Sequence, residues 1–152
     1  MTVQMVATAD EDTPITTEQI VEELLSERQA MLALYCKVAG LAPFHHEKST
    51  REELREFCQI LVDYTALVHL EIYERIVDGK EQRPEVIETA EQIHEQLVEL
   101  TTQIVDFNDK YDESDHQLIL NQLQDDLSEL GEILAARAEL EDRLIQVLQQ
   151  ED

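Results

Sequence analysis

The sequence predicts an all-α protein, an antiparallel up-and-down four-helix bundle with short loops. Its 152 residues are 43% hydrophobic, which is enough for one buried core. It holds only three glycines and three prolines, too few turn-forming residues for a β-sandwich, a β-barrel or a series of βα loops. Apolar residues also recur three or four positions apart along four segments, as in amphipathic helices. We expect one helical domain over residues 14–152, after a flexible acidic leader over residues 1–13.

The first helix is predicted to begin within the run Thr16–Gln19, which fits a capping box. In that motif a threonine side chain caps the backbone, and a polar side chain three residues later reaches back to the cap. Apolar positions then continue over residues 20–38 with nearly helical periodicity. Gly40 is expected to end the helix, because glycine readily adopts the left-handed conformation of a helix terminus.

The second and third helices have similar boundary signals. The run Ser49–Glu52 is a second capping box, and the apolar face that follows it covers residues 54–76. Gly79 is expected to end this helix. Pro84 is predicted in the first turn of the third helix, where the N–H that proline lacks has no helical partner. The third helix is expected to continue towards Tyr111.

In the fourth predicted helix, core-facing positions over residues 120–148 follow one another at alternate intervals of three and four residues. This spacing is typical of a seam, the line of positions along which the helices of a bundle pack. Gly131 lies within this helix, at a cost of about 1 kcal/mol against alanine, so a neighbouring helix or a large side chain is expected to come close there. One of three polar residues is expected to cap this helix: Asp112, Ser114 or Asp115.

Two seam positions of the fourth helix hold Arg137 and Glu141 where leucine is expected. Residues four apart share a helix face, so the two can form an ion pair. We favour a satisfied ion pair at one end of the core, completed by residues from opposite helices. His69 is expected to be a hydrogen-bonded core histidine, with Tyr64 and Tyr73 as neighbours of His69 or of Arg137.

The second helix is apolar on more than one face. Besides its core stripe it carries Ile60, Leu67 and Leu70, interleaved with carboxylates that include Asp63, Glu71 and Glu74. Large aliphatic residues are unusual on a solvated helix face. Two interpretations remain open: the helix is contacted on several sides, or this stripe is an apolar surface, edged by acidic residues, that receives a basic helix.

The net charge of the protein limits which class of molecule can be its partner. The chain has 35 acidic and 11 basic residues and a formal net charge of −24. Such a surface repels nucleic-acid phosphates and anionic lipids, whereas a basic protein surface complements it. No segment has the length of apolar sequence that a membrane span needs, and no signal peptide is recognisable. We expect a cytoplasmic protein whose two cysteines, Cys36 and Cys58, are reduced.

The sequence predicts neither an enzyme nor a bound cofactor. One ExxH motif, Glu91–His94, is present, but di-metal helical bundles use two such helices and a glutamate from each of two others. The five histidines are scattered, and neither a phosphate-binding glycine loop nor a nucleophile–base arrangement is recognisable. A carboxylate–metal bundle is therefore the weaker alternative to a protein-binding role.

Two blocks of sequence resemble a known family. The first comprises Phe57–Tyr64, followed by His69 and Ile72–Glu74, and the second lies within residues 127–142 of the fourth helix. Both are similar to the signature blocks of the Rsd/AlgQ family, bacterial regulators of the sigma subunit of RNA polymerase. The resemblance extends from Ile20 to Leu148.

This resemblance implies an anti-sigma factor that binds and sequesters the primary, housekeeping sigma factor through its basic promoter-recognition domain. By carry-over, Asp63 is expected to contact sigma. The other candidate contacts lie near it on the second helix: Ile60, Leu67, Leu70, Glu71 and Glu74. A family-specific polar set is expected as well: Tyr64, His69, Tyr73, Arg137 and Glu141. The alternative is a helical scaffold that binds another basic protein.

Overall fold

A computed structural model describes residues 16–41, 48–112 and 119–150. Over these ranges the chain is helical and contains no strand, so the predicted all-α class is confirmed. The four long helices are α1 (Thr17–Ala39), α2 (Thr50–Val68), α4 (Pro84–Lys110) and α5 (Leu123–Gln149). A π-helical turn, His69–Tyr73, continues α2 into the short helix α3 (Glu74–Val77). The predicted leader lies outside the described residues.

The predicted boundaries of α1 are confirmed. The Gln19 N–H donates to Thr16 Oγ1 at 3.1 Å, and the Thr16 N–H donates to Gln19 Oε1 at 2.9 Å, which completes the capping box. Gly40 ends the helix with φ 69°, a left-handed conformation that glycine adopts without steric cost. Ser49 caps α2 by accepting from the backbone N–H of Glu52 at 3.3 Å.

The start of α5 differs from the prediction. The helix begins at Leu123 with Gln122 at the cap position, so Asp112 does not cap it, and Ser114 and Asp115 lie outside the described residues. The apolar spacing of the predicted helix includes Leu120, because the Leu120 side chain packs on the core. Its backbone, however, belongs to the turn before the helix. A core contact made from a turn is indistinguishable in sequence from one made by a helix.

The core consists of two apolar clusters. The first joins the end of α1, the start of α2, the end of α4 and the start of α5, and it includes Met31, Leu54, Phe57, Ile104, Phe107 and Leu130. The second joins the start of α1, the end of α2, the start of α4 and the end of α5, and it includes Leu24, Val68, Ile72, Val86, Ile93 and Leu144. The closest packing is of α1 on α2 and of α4 on α5.

The helices of the described ranges are amphipathic rather than apolar throughout. None of them combines the length and hydropathy that crossing a bilayer requires.

Gly131 is the site of a close helix approach, as predicted. The Tyr35 hydroxyl crosses from α1 and donates to the Leu127 carbonyl at 2.7 Å. A Cβ atom on Gly131 would overlap that hydroxyl and lie 3.2 Å from Tyr35 Cζ. The absence of a side chain therefore allows α1 and α5 to approach each other.

Replacing Gly131 by alanine should destabilise the protein, although alanine is the better helix former. We expect Gly131→Ala to lower the free energy of unfolding by about 1–3 kcal/mol, the usual cost of overpacking. Urea denaturation measures it. The same change in a Tyr35→Phe background, which removes the overlapping hydroxyl, should cost less. A gain of about 1 kcal/mol in the single variant, as helix propensity alone predicts, would contradict this account.

Candidate protein-interaction surface

A buried ionic network crosses the bundle where the two apolar clusters meet. The Arg137 and Glu141 side chains are each 2% exposed and form the predicted ion pair. Arg137 Nη2 also donates to the Thr65 carbonyl at 2.9 Å, and its guanidinium lies 5.5 Å from the Tyr64 ring centroid. Glu141 accepts in addition from the Tyr64 hydroxyl. The pair is buried in the core, as the sequence predicted, but it lies between the two clusters and not at one end of the bundle, because core residues of α5 continue on both sides of it.

A second arginine completes this network. Arg28 Nη2 on α1 donates to Glu141 Oε1 at 3.0 Å, and Nη1 donates to Asp142 Oδ1 at 2.8 Å. The sequence did not predict Arg28 in this network, because its two carboxylate partners lie more than 110 residues further along the chain. A usable signal was its spacing, four residues after Leu24 and three before Met31, which puts a cation on the core stripe of α1.

The network fixes the protonation states of its charged side chains and of the Tyr64 phenol. Burial raises the pKa of Tyr64, and the negative charge of Glu141 raises it further, so the hydroxyl remains a proton donor. Burial alone would lower the pKa of Arg28, but hydrogen bonds to Tyr64 and Asp142 outweigh it and raise that pKa. Two guanidinium groups therefore share one buried carboxylate, with Asp142 at the surface.

The second apolar stripe of α2 is divided between core and surface. Ile60 and Leu67 are half-buried, and each packs against one of the two core clusters. Leu70 is half exposed, and Asp63 is exposed. For Ile60 and Leu67 the structure therefore favours the interpretation that the helix is contacted on several sides, whereas Leu70 and Asp63 remain open to a partner.

Carboxylates surround the exposed end of this stripe. Glu74 is exposed, and its Oε1 lies 3.9 Å from His69 Nε2. Partial burial raises the pKa of Glu71, and repulsion from Glu23 on α1 adds to that shift. The positive charge of Arg75 opposes both effects and lowers that pKa.

His69 is not a core residue, contrary to the prediction. Its side chain is 70% exposed, because Val68 and Ile72 take the core positions and His69 follows about 100° round the helix. Its ring stacks on Tyr73 with centroids 6.5 Å apart. The Tyr73 hydroxyl donates to the Ala90 carbonyl at 2.7 Å, and burial raises the pKa of Tyr73 to about 12.

The residues considered for metal or redox chemistry are dispersed. Glu91 is exposed, while the His94 ring lies edge-on to Tyr73 at 5.2 Å. Across the described ranges, no three histidine, cysteine, aspartate or glutamate side chains converge as a metal site would need. Cys36 and Cys58 are free thiols, and burial raises the pKa of Cys58 to about 12.

The comparison with known families identifies the family of the chain. The profile of the family described as "Regulator of RNA polymerase sigma(70) subunit, Rsd/AlgQ" matches residues 5–149. The chain belongs to the Rsd/AlgQ family. In this Rsd/AlgQ protein the ionic network connects the two resembling blocks, since Tyr64 ends the first block and Arg137 and Glu141 lie in the second.

Curated relatives agree with the family. The chain is 37% identical over 137 residues to "Regulator of sigma D" of Yersinia pseudotuberculosis, which covers 86% of this chain and 79% of that protein. It is 36% identical over 133 residues to the protein of the same name from Shigella dysenteriae, over 85% and 83% of the two chains. No solved structure matched this Rsd/AlgQ chain.

The ionic network predicts unequal costs for two adjacent carboxylates that both bind Arg28. Glu141→Gln should lower the free energy of unfolding by about 3–5 kcal/mol, because it leaves two guanidinium groups without their buried anion. Asp142→Asn serves as the matched control. That carboxylate is 61% exposed, so its loss should cost about 0.2–1 kcal/mol. Chemical denaturation of both variants measures the difference, and equal costs would show that Glu141 is not the centre of the network.

Proposed function

We propose that this protein is an anti-sigma factor that binds the primary, housekeeping sigma factor through its basic promoter-recognition domain. The observation that carries the proposal is the family match, which covers nearly the whole chain and whose description names the sigma(70) subunit of RNA polymerase. Binding there withholds sigma from promoter DNA and from the polymerase. In this role the protein is a non-enzymatic regulator in the cytoplasm.

Charge supports a basic protein partner. The net charge of −24 repels nucleic acid but attracts a domain whose own surface is positive enough to bind DNA. Oppositely charged surfaces accelerate the encounter and disfavour partners of the wrong charge. The proposed contact is therefore with sigma itself, and promoter DNA is its competitor.

The proposed contact surface is the exposed side of α2 and the π-turn. Asp63, Leu70 and Glu74 are open to solvent, and Glu71 is held near Glu23. Leu70 supplies apolar area to desolvate, and the carboxylates supply partners for basic side chains. Ile60 and Leu67, which belong partly to the core, are assigned the supporting role of fixing the position of this surface.

We further propose that the four long helices run in antiparallel, up-and-down order. The composition of the two core clusters supports this order. The start of α1 packs with the end of α2, and the start of α4 packs with the end of α5. This order lets α2 lie beside α1 along its length, so the carboxylates of both helices can face one partner.

Binding to sigma should be direct and sensitive to salt. We expect the full chain to bind the isolated promoter-recognition domain of a primary sigma factor, and the affinity to fall as ionic strength rises, because exposed ion pairs are screened over about 8–10 Å. Calorimetry at several salt concentrations measures both, and promoter DNA should compete. If that domain does not bind at any ionic strength, the anti-sigma role is wrong and the scaffold alternative takes its place.

Asp63 should contribute to binding without contributing to folding. We expect Asp63→Ala to weaken sigma binding at least about tenfold, because a basic group of the partner loses its ion pair on a desolvated surface. The free energy of unfolding should change by no more than about 0.5–1 kcal/mol, since Asp63 is exposed. Melting and binding are measured on the same preparation.

The matched control is Asp106→Ala, which removes an exposed aspartate near the C-terminal end of α4 and changes the net charge equally. It should bind sigma nearly as the parent does. If the two variants weaken binding alike, only overall charge matters. If Asp63→Ala unfolds, its side chain is structural and the assignment to the interface is wrong.

A further inference from the structure

A groove of about 610 Å³ lies between α2 and α4, which contact each other less than α2 contacts α1 or α4 contacts α5. Most of its lining surface is apolar. Three valines, Val62, Val98 and Val105, line it and remain nearly half exposed. Small-molecule sites in proteins have volumes of about 300–1,000 Å³ and are lined mainly by apolar side chains with a few polar groups. The groove has the size and lining of such a site.

Arg137 lines the groove and leaves one hydrogen-bond donor unmet. Its two terminal nitrogens donate to Glu141 and to the Thr65 carbonyl, but its Nε atom is buried without a partner. Among the described residues it is the only buried side-chain nitrogen or oxygen in that condition. A buried donor without an acceptor costs free energy, because its hydrogen bond to water is lost. A ligand that brings an acceptor to this atom would recover that energy.

The charge of Arg137 is only partly neutralised from within the core. Glu141, its buried counterion, also binds Arg28. The second carboxylate of the network, Asp142, contacts Arg28 and is mostly exposed. A guanidinium that shares its anion with another guanidinium keeps a net attraction for negative charge. Arg137 can therefore attract an anion locally, although the protein as a whole is acidic. The overall negative charge interferes little, because it is screened beyond about 8 Å in physiological salt.

Two histidines add donors along the same groove. His69 and His94 both line it, and their rings lie on Tyr73 with centroid distances of 6.5 and 5.2 Å. A neutral imidazole carries one N–H donor. His69 also begins the π-helical turn, and single π-turns within α-helices occur frequently at functional sites. Besides Arg137 and these two imidazoles, the polar side chains that line the groove are Thr65, Tyr73, Thr101, Thr102 and Asn108.

We propose that this groove binds a small amphipathic carboxylate. The apolar chain lies along Val62, Val98 and Val105, and the carboxylate lies beside Arg137 and the two imidazoles. Because Arg137 Nε is covered, the ligand has to part the side chains above it. The resulting hydrogen bond is shielded from water, where a charge-assisted bond is strong. This site is independent of the proposed binding of sigma.

The ligand chemistry can be tested with three eight-carbon probes on the full chain: octanoate, n-octanol and n-octylammonium, each below the concentration at which it self-associates. Titrations followed by nitrogen-15 NMR report both affinity and the Arg137 Nε–H signal. We expect saturable octanoate binding that moves this signal, with octanol at least about fivefold weaker and octylammonium weaker still. Equal binding of octanoate and octanol would mean a merely apolar groove and would overturn the proposal.

The other outcomes overturn it as well. Tighter binding of octylammonium would mean that the acidic surface, rather than Arg137, attracts the probe. Saturable octanoate binding that leaves the Arg137 Nε–H signal unchanged would place the carboxylate elsewhere. If octanoate does not bind, the groove is not a site for this class of ligand.

A pair of matched variants locates the site. Val98→Glu introduces a carboxylate where the apolar chain of the ligand lies, and should reduce octanoate affinity at least about tenfold because it removes an apolar contact and repels the anionic probe. Val77→Glu makes the same change on α3, where the valine is 84% exposed and lies away from the groove, and it should leave the affinity unchanged. Thermal unfolding verifies that both variants fold. Equal affinities of the two variants would overturn the proposed location.

Discussion

The single buried carboxylate of Glu141 is the constraint around which this bundle is organised. It accepts from Arg137 on its own helix, Arg28 on α1 and Tyr64 on α2, so one anion joins three helices where the two apolar clusters meet. Buried charges are costly unless each is paired and hydrogen-bonded, so these side chains fit only one mutual arrangement of the helices. An apolar core of similar volume would leave more freedom for the helices to shift in register.

The same network connects the core to the surfaces that carry the proposals. Tyr64 follows directly on Asp63, so the phenol fixed by Glu141 sets the rotation of α2 and with it the outward direction of the acidic face. Arg137 reaches across to the Thr65 carbonyl and lines the groove between α2 and α4. One buried ion pair therefore supports two different surfaces of α2: the acidic face that is proposed to contact sigma, and one wall of the groove.

Part of the candidate site could be predicted from the sequence, because it depends on residues that are close together along the chain. The pairing of Arg137 with Glu141 follows from a spacing of four residues on one helix. The contact of Tyr64 with Arg137 joins α2 to α5, so spacing alone could not decide between Tyr64 and Tyr73. The contribution of Arg28 was missed, because no local rule relates residues more than 110 positions apart. The exposure of His69 was also missed, since one step of 100° separates a core position from a groove position.

The sequence by itself determined the helical class, the caps at Thr16 and Ser49, the left-handed end at Gly40 and the close approach at Gly131. The helical class, the caps and the helix end depend on the conformational preferences of a few adjacent residues. A glycine within a helix lowers its stability, so Gly131 indicates that a neighbouring group packs closely there. Only the tertiary structure decided which helices pack closely, where the π-turn falls and that Arg137 Nε lacks an acceptor. These depend on contacts between distant segments, where many arrangements satisfy the same apolar pattern and only the complete set of buried polar partners distinguishes them.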